Sequence, residues 1–200
     1  MKTQIITILT ALVLVAGVAK ADTTATAKTE DVTVLTDVSA INKIEVRGNV
    51  LLYISDGSAD QVKVYNKYYA ESALVKSRNG VLSIASYKAE KLVVWVTAAD
   101  LNSIAAYDNS EVKTFGDVSK VEFNVELHNN ASAKLSFDAF SANVTVADNA
   151  KADISGTTTE FNLTHSVGST VNRTNLTAEY FTDSRTGVAV AAKVDDITAL

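Results

Sequence analysis

The sequence predicts an all-β chain: a single-stranded, right-handed parallel β-helix-like solenoid of about 19-residue coils. Three observations lead there. The second half repeats at that interval, the first half is a run of short alternating segments broken by turn residues, and the chain contains no proline. Average usage near 5% would put roughly ten prolines in a chain of this length. Proline cannot donate to a ladder, so its absence fits a backbone committed to ladders.

The first element is an export signal. Residues 1–21 read MKTQIITILTALVLVAGVAKA: Lys2 is the positive n-region, Ile5 to Val18 the apolar run, and Ala19-Lys20-Ala21 a small-x-small cleavage site. The run is short for the ~20 residues that span a bilayer, and no Cys follows it for lipid attachment. Removing 1–21 takes away Lys2 and Lys20 and shifts the net charge from −5 to −7. The chain is therefore expected outside the cytoplasm: periplasmic, outer-surface or extracellular. Residues 22–40, rich in Thr, Ala and Asp at their start, read as a flexible N-terminal segment or first edge strand. The domain proper is expected over 41–194, with a tail at 195–200.

Within the domain the early strands follow in order. Ile44-Glu45-Val46 leads through Gly48-Asn49 into Val50–Ile54, and Asp56-Gly57 turns the chain. Val62-Lys63-Val64 alternates again. Residues 70–78 (AESALVKSR) are the only stretch with a short helical pattern. Asn79-Gly80 is a strong hairpin signal ahead of Val81–Ile84. Leu92-Val93-Val94-Trp95-Val96 is a continuous β-branched and aromatic run, which predicts a strand buried on both faces.

From Asn102 the repeat takes over. Asn109, Asn130, Asn149, Gly168 and Gly187 stand 21, 19, 19 and 19 residues apart. Around them, columns alternate with period 2. Five residues before the markers lie Ile104, Val125, Val144, Leu163 and Thr182; three after lie Val112, Ala133, Ala152, Val171 and Val190. Each unit is thus strand–corner–strand. Asn and Gly both tolerate the left-handed backbone region, so the markers are expected to be the left-handed corner residues, with a stacked Asn ladder as an additional prospect. One unit cannot bury its apolar face alone; stacking units ~4.8 Å apart builds a continuous core. The right hand follows from the general crossover preference. The alternative fold is an antiparallel β-sandwich with evenly spaced hairpins.

Composition excludes several functions. With no Cys there is no disulfide framework, Cys-ligated metal or thiol nucleophile. A pI near 5.0 without a Lys/Arg cluster argues against nucleic acid as a partner. His128 and His165 are the only imidazoles; His128 falls in an outward phase and His165 in an inward or end-coil position, and neither has a convergent ligand set. No G-x-S-x-G elbow is present. Asp108-Asn109 and Asp148-Asn149 are read as corners, since no calcium-binding loop pattern surrounds them. No catalytic residue, metal or cofactor is expected. Tyr65, Tyr68 and Tyr69, with Tyr87, form the one aromatic cluster, the candidate binding surface. Arg173 and Ser184 bring polar groups into formerly apolar columns, which predicts loss of register, a polar cap, or pairing with a second copy through the terminal coil.

Over about Ile41–Val190 the chain resembles the putative auto-transporter adhesin, head GIN domain family. The resemblance rests on Ile44–Val50, Asp56-Gly57, Val62-Lys63-Val64, Asn79–Ile84, Leu92–Val96 and Leu101–Ile104. It also rests on the repeated corners Asp108-Asn109-Ser110, Asn129-Asn130-Ala131-Ser132, Asp148-Asn149-Ala150 and Val167-Gly168-Ser169, where Asn replaces the usual Gly. The resemblance implies a β-helical extracytoplasmic domain. The expected function is a non-enzymatic binding or adhesion-type module for a glycan or protein surface, with no membrane span after signal cleavage. The alternatives are a structural envelope protein that self-associates and, behind it, a polysaccharide-active enzyme.

Overall fold

The computed structural model describes residues 32–35, 38, 40–65 and 73–187. Residues 1–21, expected to be the export signal, Tyr68, Tyr69 and the expected tail 195–200 lie outside the described residues. The strands are β1 (Val32–Leu35), β2 (Lys43–Gly48), β3 (Val50–Asp56), β4 (Gln61–Tyr65), β5 (Ala73–Arg78), β6 (Val81–Ser86) and β7 (Leu92–Ala98). They continue with β8 (Ser103–Ala106), β9 (Glu111–Thr114), β10 (Val118–Leu127), β11 (Ser132–Val146), β12 (Lys151–Ser166) and β13 (Thr170–Thr186). All join one sheet, which curls so that two limbs share a single core.

The pairing is mostly parallel, and its register follows the repeat. Val125 pairs with Val144 and Val144 with Leu163; Ala133 pairs with Ala152. The first limb stacks β5, β6, β2, β8 and the C-terminal parts of β10 to β13. The second stacks β1, β4, β7, β3, β9 and the N-terminal parts of β11, β12 and β13. Antiparallel pairing is confined to β1–β4, β4–β7 and β5–β6, so the sandwich alternative is not what forms.

Long strands pass from one limb to the other without leaving the ladder. In β11, Phe137 and Ala139 are buried, then Ala142, Val144 and Val146. The inward phase slips by one residue, and the pairing with β12 skips Phe140. This is how a continuous strand turns a corner while keeping its hydrocarbon inside. Columns of inward side chains result: Leu82, Ile44, Ile104, Val125, Val144 and Leu163 are in register and buried. Large and small residues alternate where space requires it, with Ala142 between Phe123 and Phe161. Phe123 also meets Phe137 edge-on at 5.5 Å. Each such ring contributes about 1.5–3 kcal/mol by burial.

Four expectations are corrected by the structure, and one is borne out. The first half does not wind in chain order: β2 lies between β6 and β8, and β3 between β7 and β9. The β4–β7 excursion therefore separates the β2–β3 unit from its equivalent by 60 residues, as in Gly48 and Asp108. Secondly, within the helical pattern at 70–78 the described part, 73–78, is strand β5, because Asn79 (φ 52°) and Gly80 (φ 79°) close a hairpin that pairs Arg78 with Val81. Thirdly, Leu92–Val96 is not buried on both faces: Leu92, Val94 and Val96 face the core, and Val93 and Trp95 are only half-buried.

The fourth correction concerns the corners. The left-handed residues are not Asn109, Asn130 and Asn149 but those before them: Asp108 (φ 62°), Asn129 (φ 59°) and Asp148 (φ 56°). Gly48 (φ 80°) holds the same position in the β2–β3 unit. These residues form a chain of side-chain caps. Asp148 accepts from the Asn129 amide (2.8 Å), Asn129 from the Asp108 amide (3.2 Å), and Asp108 from the Gly48 amide (3.1 Å). Gly168 is not left-handed; a Cβ there would meet the Asp148 carbonyl oxygen at 2.7 Å, so the requirement is space. The amide ladder runs elsewhere, through Asn124, Asn143 and Asn162 (2.9 and 3.0 Å); Asn130 reaches Asn109 only at 3.4 Å.

The last repeat slips, the loss of register expected from the polar residues Arg173 and Ser184. A bulge opposite Asp153–Ser155 inserts one residue in β13. Phe181, Asp183 and Arg185 then stand in the columns of Phe161, Leu163 and His165, not Tyr180, Thr182 and Ser184. The same slip carries Gly187 (φ 77°) to the left-handed position itself.

Two glycines separate crowding from backbone strain. At Gly156 (φ 114°) a Cβ would strike the Phe137 carbonyl, whereas at Gly116 (φ 79°) nothing lies within 4 Å. Gly156→Ala should cost about 3 kcal/mol or more, and Gly116→Ala about 1–2 kcal/mol, read as shifts of the urea midpoint at constant m. Asp148→Ala, which loses an acceptor and keeps an unfavourable φ, should cost about 1–3 kcal/mol, while Asp148→Asn should stay within about 0.5 kcal/mol; equal losses would show that the cap contributes nothing.

Candidate functional site

Alternation places every second residue of the second limb on its outer surface. Across the strands, at ~4.8 Å steps, one row reads Val34, Lys63, Trp95, Tyr53, Lys113, Lys134, Asp153 and Asn172. The neighbouring row contains Val32, Tyr65, Val93, Leu51, Glu111, Ser132 and Lys151. Trp95, the only Trp, stacks on Tyr53 (4.5 Å, 26°) and meets Phe115 at 5.5 Å. Phe115 is 64% exposed, and Val32 and Val34 are also exposed. An aromatic and aliphatic ridge therefore faces solvent beside lysines.

Next to the ridge lies a hollow of about 220 Å³, lined by Tyr53, Lys113, Gly116, Lys134, Ser136 and Ser155 among others. It is smaller than the ~300–1,000 Å³ of pockets that enclose a drug-sized ligand, so it suits one ring-sized group of something longer. Glu111 bridges Lys113 (2.7 Å) and Lys91 (3.1 Å). The Lys113 hydrogen bond holds the Glu111 carboxyl below its usual range, with Lys91 adding to the effect, and Glu111 in turn raises Lys113. Because the carboxyl's shift is downward, this clamp is complete above the ordinary carboxylate range and is lost as pH falls through the lowered value. Lys63 and Lys134 make no ion pair with a described residue.

The tyrosine cluster is divided. Tyr65 sits on the outer face beside Val93. Tyr87 follows β6 in the first limb and donates its hydroxyl to Asp108 (3.2 Å); desolvation of the phenol, and after it the Asp108 charge, raises its pKa. Tyr68 and Tyr69 lie outside the described residues. The continuous apolarity of Leu92–Val96 conceals a two-residue period in which Trp95 stands outward between inward Val94 and Val96, and Tyr53 and Phe115 come from other segments that only the sheet order brings beside it.

The histidines serve stacking and the chain end. His128 stacks on Tyr107 (4.9 Å, 8°), over which Arg47 also lies (3.9 Å). His165 Nε2 is 3.3 Å from Asp183. Arg173 covers the Phe181 ring at 4.0 Å, and Phe181 stacks on Phe161. Among the described residues no group of three or more His, Asp or Glu is placed to hold a metal, and no helix is long and apolar enough to cross a membrane.

The fold is thus a mostly parallel all-β sheet whose second limb carries an aromatic ridge on its outer surface. The family model described as putative auto-transporter adhesin, head GIN domain, matches residues 40–192, and the chain belongs to that family. No curated protein matches the sequence. Among solved structures it is similar to a putative adhesin from Bacteroides fragilis NCTC 9343 (17% identity, TM-score 0.67, 80% of this chain and 78% of that one). It is also similar to a putative adhesin from Parabacteroides merdae ATCC 43184 (10%, 0.64, 78% and 77%). A third, a putative lipid binding protein from Parabacteroides distasonis ATCC 8503, shares the fold at 10% identity (0.60, 78% and 78%).

The single Trp makes the ridge observable. Tyr53→Ala should uncover Trp95, shift its emission to the red and increase its quenching by iodide; an unchanged spectrum would contradict the stacked geometry.

Proposed function

We propose that this protein is an exported, non-enzymatic binding module of adhesion type, and that the outer face of the second limb is its binding surface. The observation that carries this is the Trp95–Tyr53–Phe115 ridge, three rings from separate segments gathered in mutual contact on the outer face, with Phe115 64% exposed. Aromatic residues that remain at the surface concentrate binding energy, because they bury much area at little entropic cost. Tyr65 extends the same surface, and Tyr68 and Tyr69 adjoin it in sequence. The family's description as an adhesin supports the binding role and the export that residues 1–21 encode. The 19-residue registers support stacked coils, a rigid platform that presents this face, and the general crossover preference supports a right-handed winding.

A second reading, self-association, is favoured by one feature. β13 pairs only with β12 among the described residues, and Phe181 beside its free edge is 40% exposed.

Two measurements separate the readings. Binding to a glycan array and to immobilised extracellular proteins should fall at least tenfold for Trp95→Ala/Tyr65→Ala at unchanged thermal stability; full retention would remove this face as the site. Light scattering across concentration should show a constant mass for the binding module, whereas a rising mass would favour association through β13.

A further inference from the structure

The ligand's charge can be read from the lysines. The chain carries a net charge of −5, yet the outer face of the second limb presents Lys63, Lys113, Lys134 and Lys151 against Glu111 and Asp153. The first limb's outer face is balanced: Glu45, Glu122, Glu126 and Glu160 stand with Lys43, Arg47, Lys76 and Arg78. The excess of positive charge thus falls on the face that carries the aromatic ridge.

Its placement has a cost. Lys113 and Lys134 are direct cross-strand partners, and like charges opposite one another destabilise a sheet. Glu111 neutralises Lys113 but not Lys134. Asp153, the partner of Lys134 on the other side, makes no ion pair with it and accepts from Asn172 (3.0 Å). Both lysines line the hollow beside the Tyr53 ring. An anion held there would relieve the repulsion and gain two cationic donors. The remaining lining supplies Ser136, Ser155 and the Asp117 carboxylate, to which Ser136 donates its hydroxyl. These groups complement sugar hydroxyls, whereas a lipid surface pressed on them would leave them unsatisfied.

We propose that the hollow takes a carboxylate-bearing sugar of an acidic polysaccharide, with the carboxylate between Lys113 and Lys134, the ring beside Tyr53, and the chain crossing the strands over Trp95 toward Lys63. This rests on the reading of the outer face as the binding surface and adds the ligand's class. Row spacing puts Lys63 and Lys134 four strands apart, roughly 19 Å, so a polymer and not a single sugar engages both.

The test is a glycan array of uronate-bearing and sialylated chains with their methyl-esterified or carboxyl-reduced counterparts, read with anionic phospholipid vesicles in parallel. Acidic chains should be retained, should weaken at least tenfold in Lys134→Gln and between 0.15 and 0.5 M salt, and should be indifferent to Lys76→Gln on the other limb. Lys134→Gln should melt no lower than the parent, since it removes the repulsion with Lys113. Equal binding of the uncharged counterparts, still abolished by Trp95→Ala, would overturn the charge inference and leave the binding face intact. Vesicle binding without glycan binding would overturn it in favour of a membrane. No binding to any array member, or binding indifferent to Trp95, would remove this proposal, and in the latter case the face as well.

Discussion

Everything in this structure depends on parallel strands lying directly over their equivalents one repeat away. In a parallel ladder each backbone group bonds to the next strand, and side chains of the same phase stack on the same face. Once the offset is constant, Ile104, Val125, Val144 and Leu163 must meet, and the core is a consequence of register. Conversely, a slip of one residue would turn those columns outward. The corners enforce the register from outside, because each left-handed Asp or Asn accepts a hydrogen bond from the corresponding amide one unit away. Gly156 enforces it at a site where no other residue fits.

The repeat was readable because this constraint is periodic. Inward residues recur every second position and corners every 19 to 21 residues, so Asn109, Asn130, Asn149 and Gly168 align within the sequence itself. What escaped was local. The left-handed residue precedes the aligned one, since Asp and Asn alike can occupy that region and the pattern alone did not choose between adjacent positions. The bulge in β13 is invisible to periodicity because a single inserted residue leaves composition unchanged. The β2–β3 unit was hidden by an excursion of two hairpin-like detours, although Gly48-Asn49 carries the same corner chemistry as Asp108-Asn109.

The proposed binding face is less legible in the sequence than the fold. Tyr65 stands out in a tyrosine-rich stretch, but Trp95, Tyr53 and Phe115 come from three separate segments, and only the sheet order β7–β3–β9 makes them neighbours. The same order sets Lys113 beside Lys134, so that charge repulsion and aromatic exposure coincide on one surface. Stability alone favours neither. Both sit on a platform whose rigidity comes from the stacked columns beneath, and such a platform holds side chains from distant segments at fixed spacing.

The register itself can be measured with cysteines, since the chain has none of its own. Thr145 and Thr164 are direct partners in adjacent strands, while Thr145 and Ser166 are offset by two residues. Oxidation of the Thr145→Cys/Thr164→Cys variant should give a fast intramolecular disulfide, because partner Cα atoms fall within the ~4.4–6.8 Å that the bond spans. The Thr145→Cys/Ser166→Cys variant should remain reduced under the same conditions. Equal rates for the two, or faster closure of the offset pair, would contradict the 19-residue superposition on which the core, the corners and the outer face all rest.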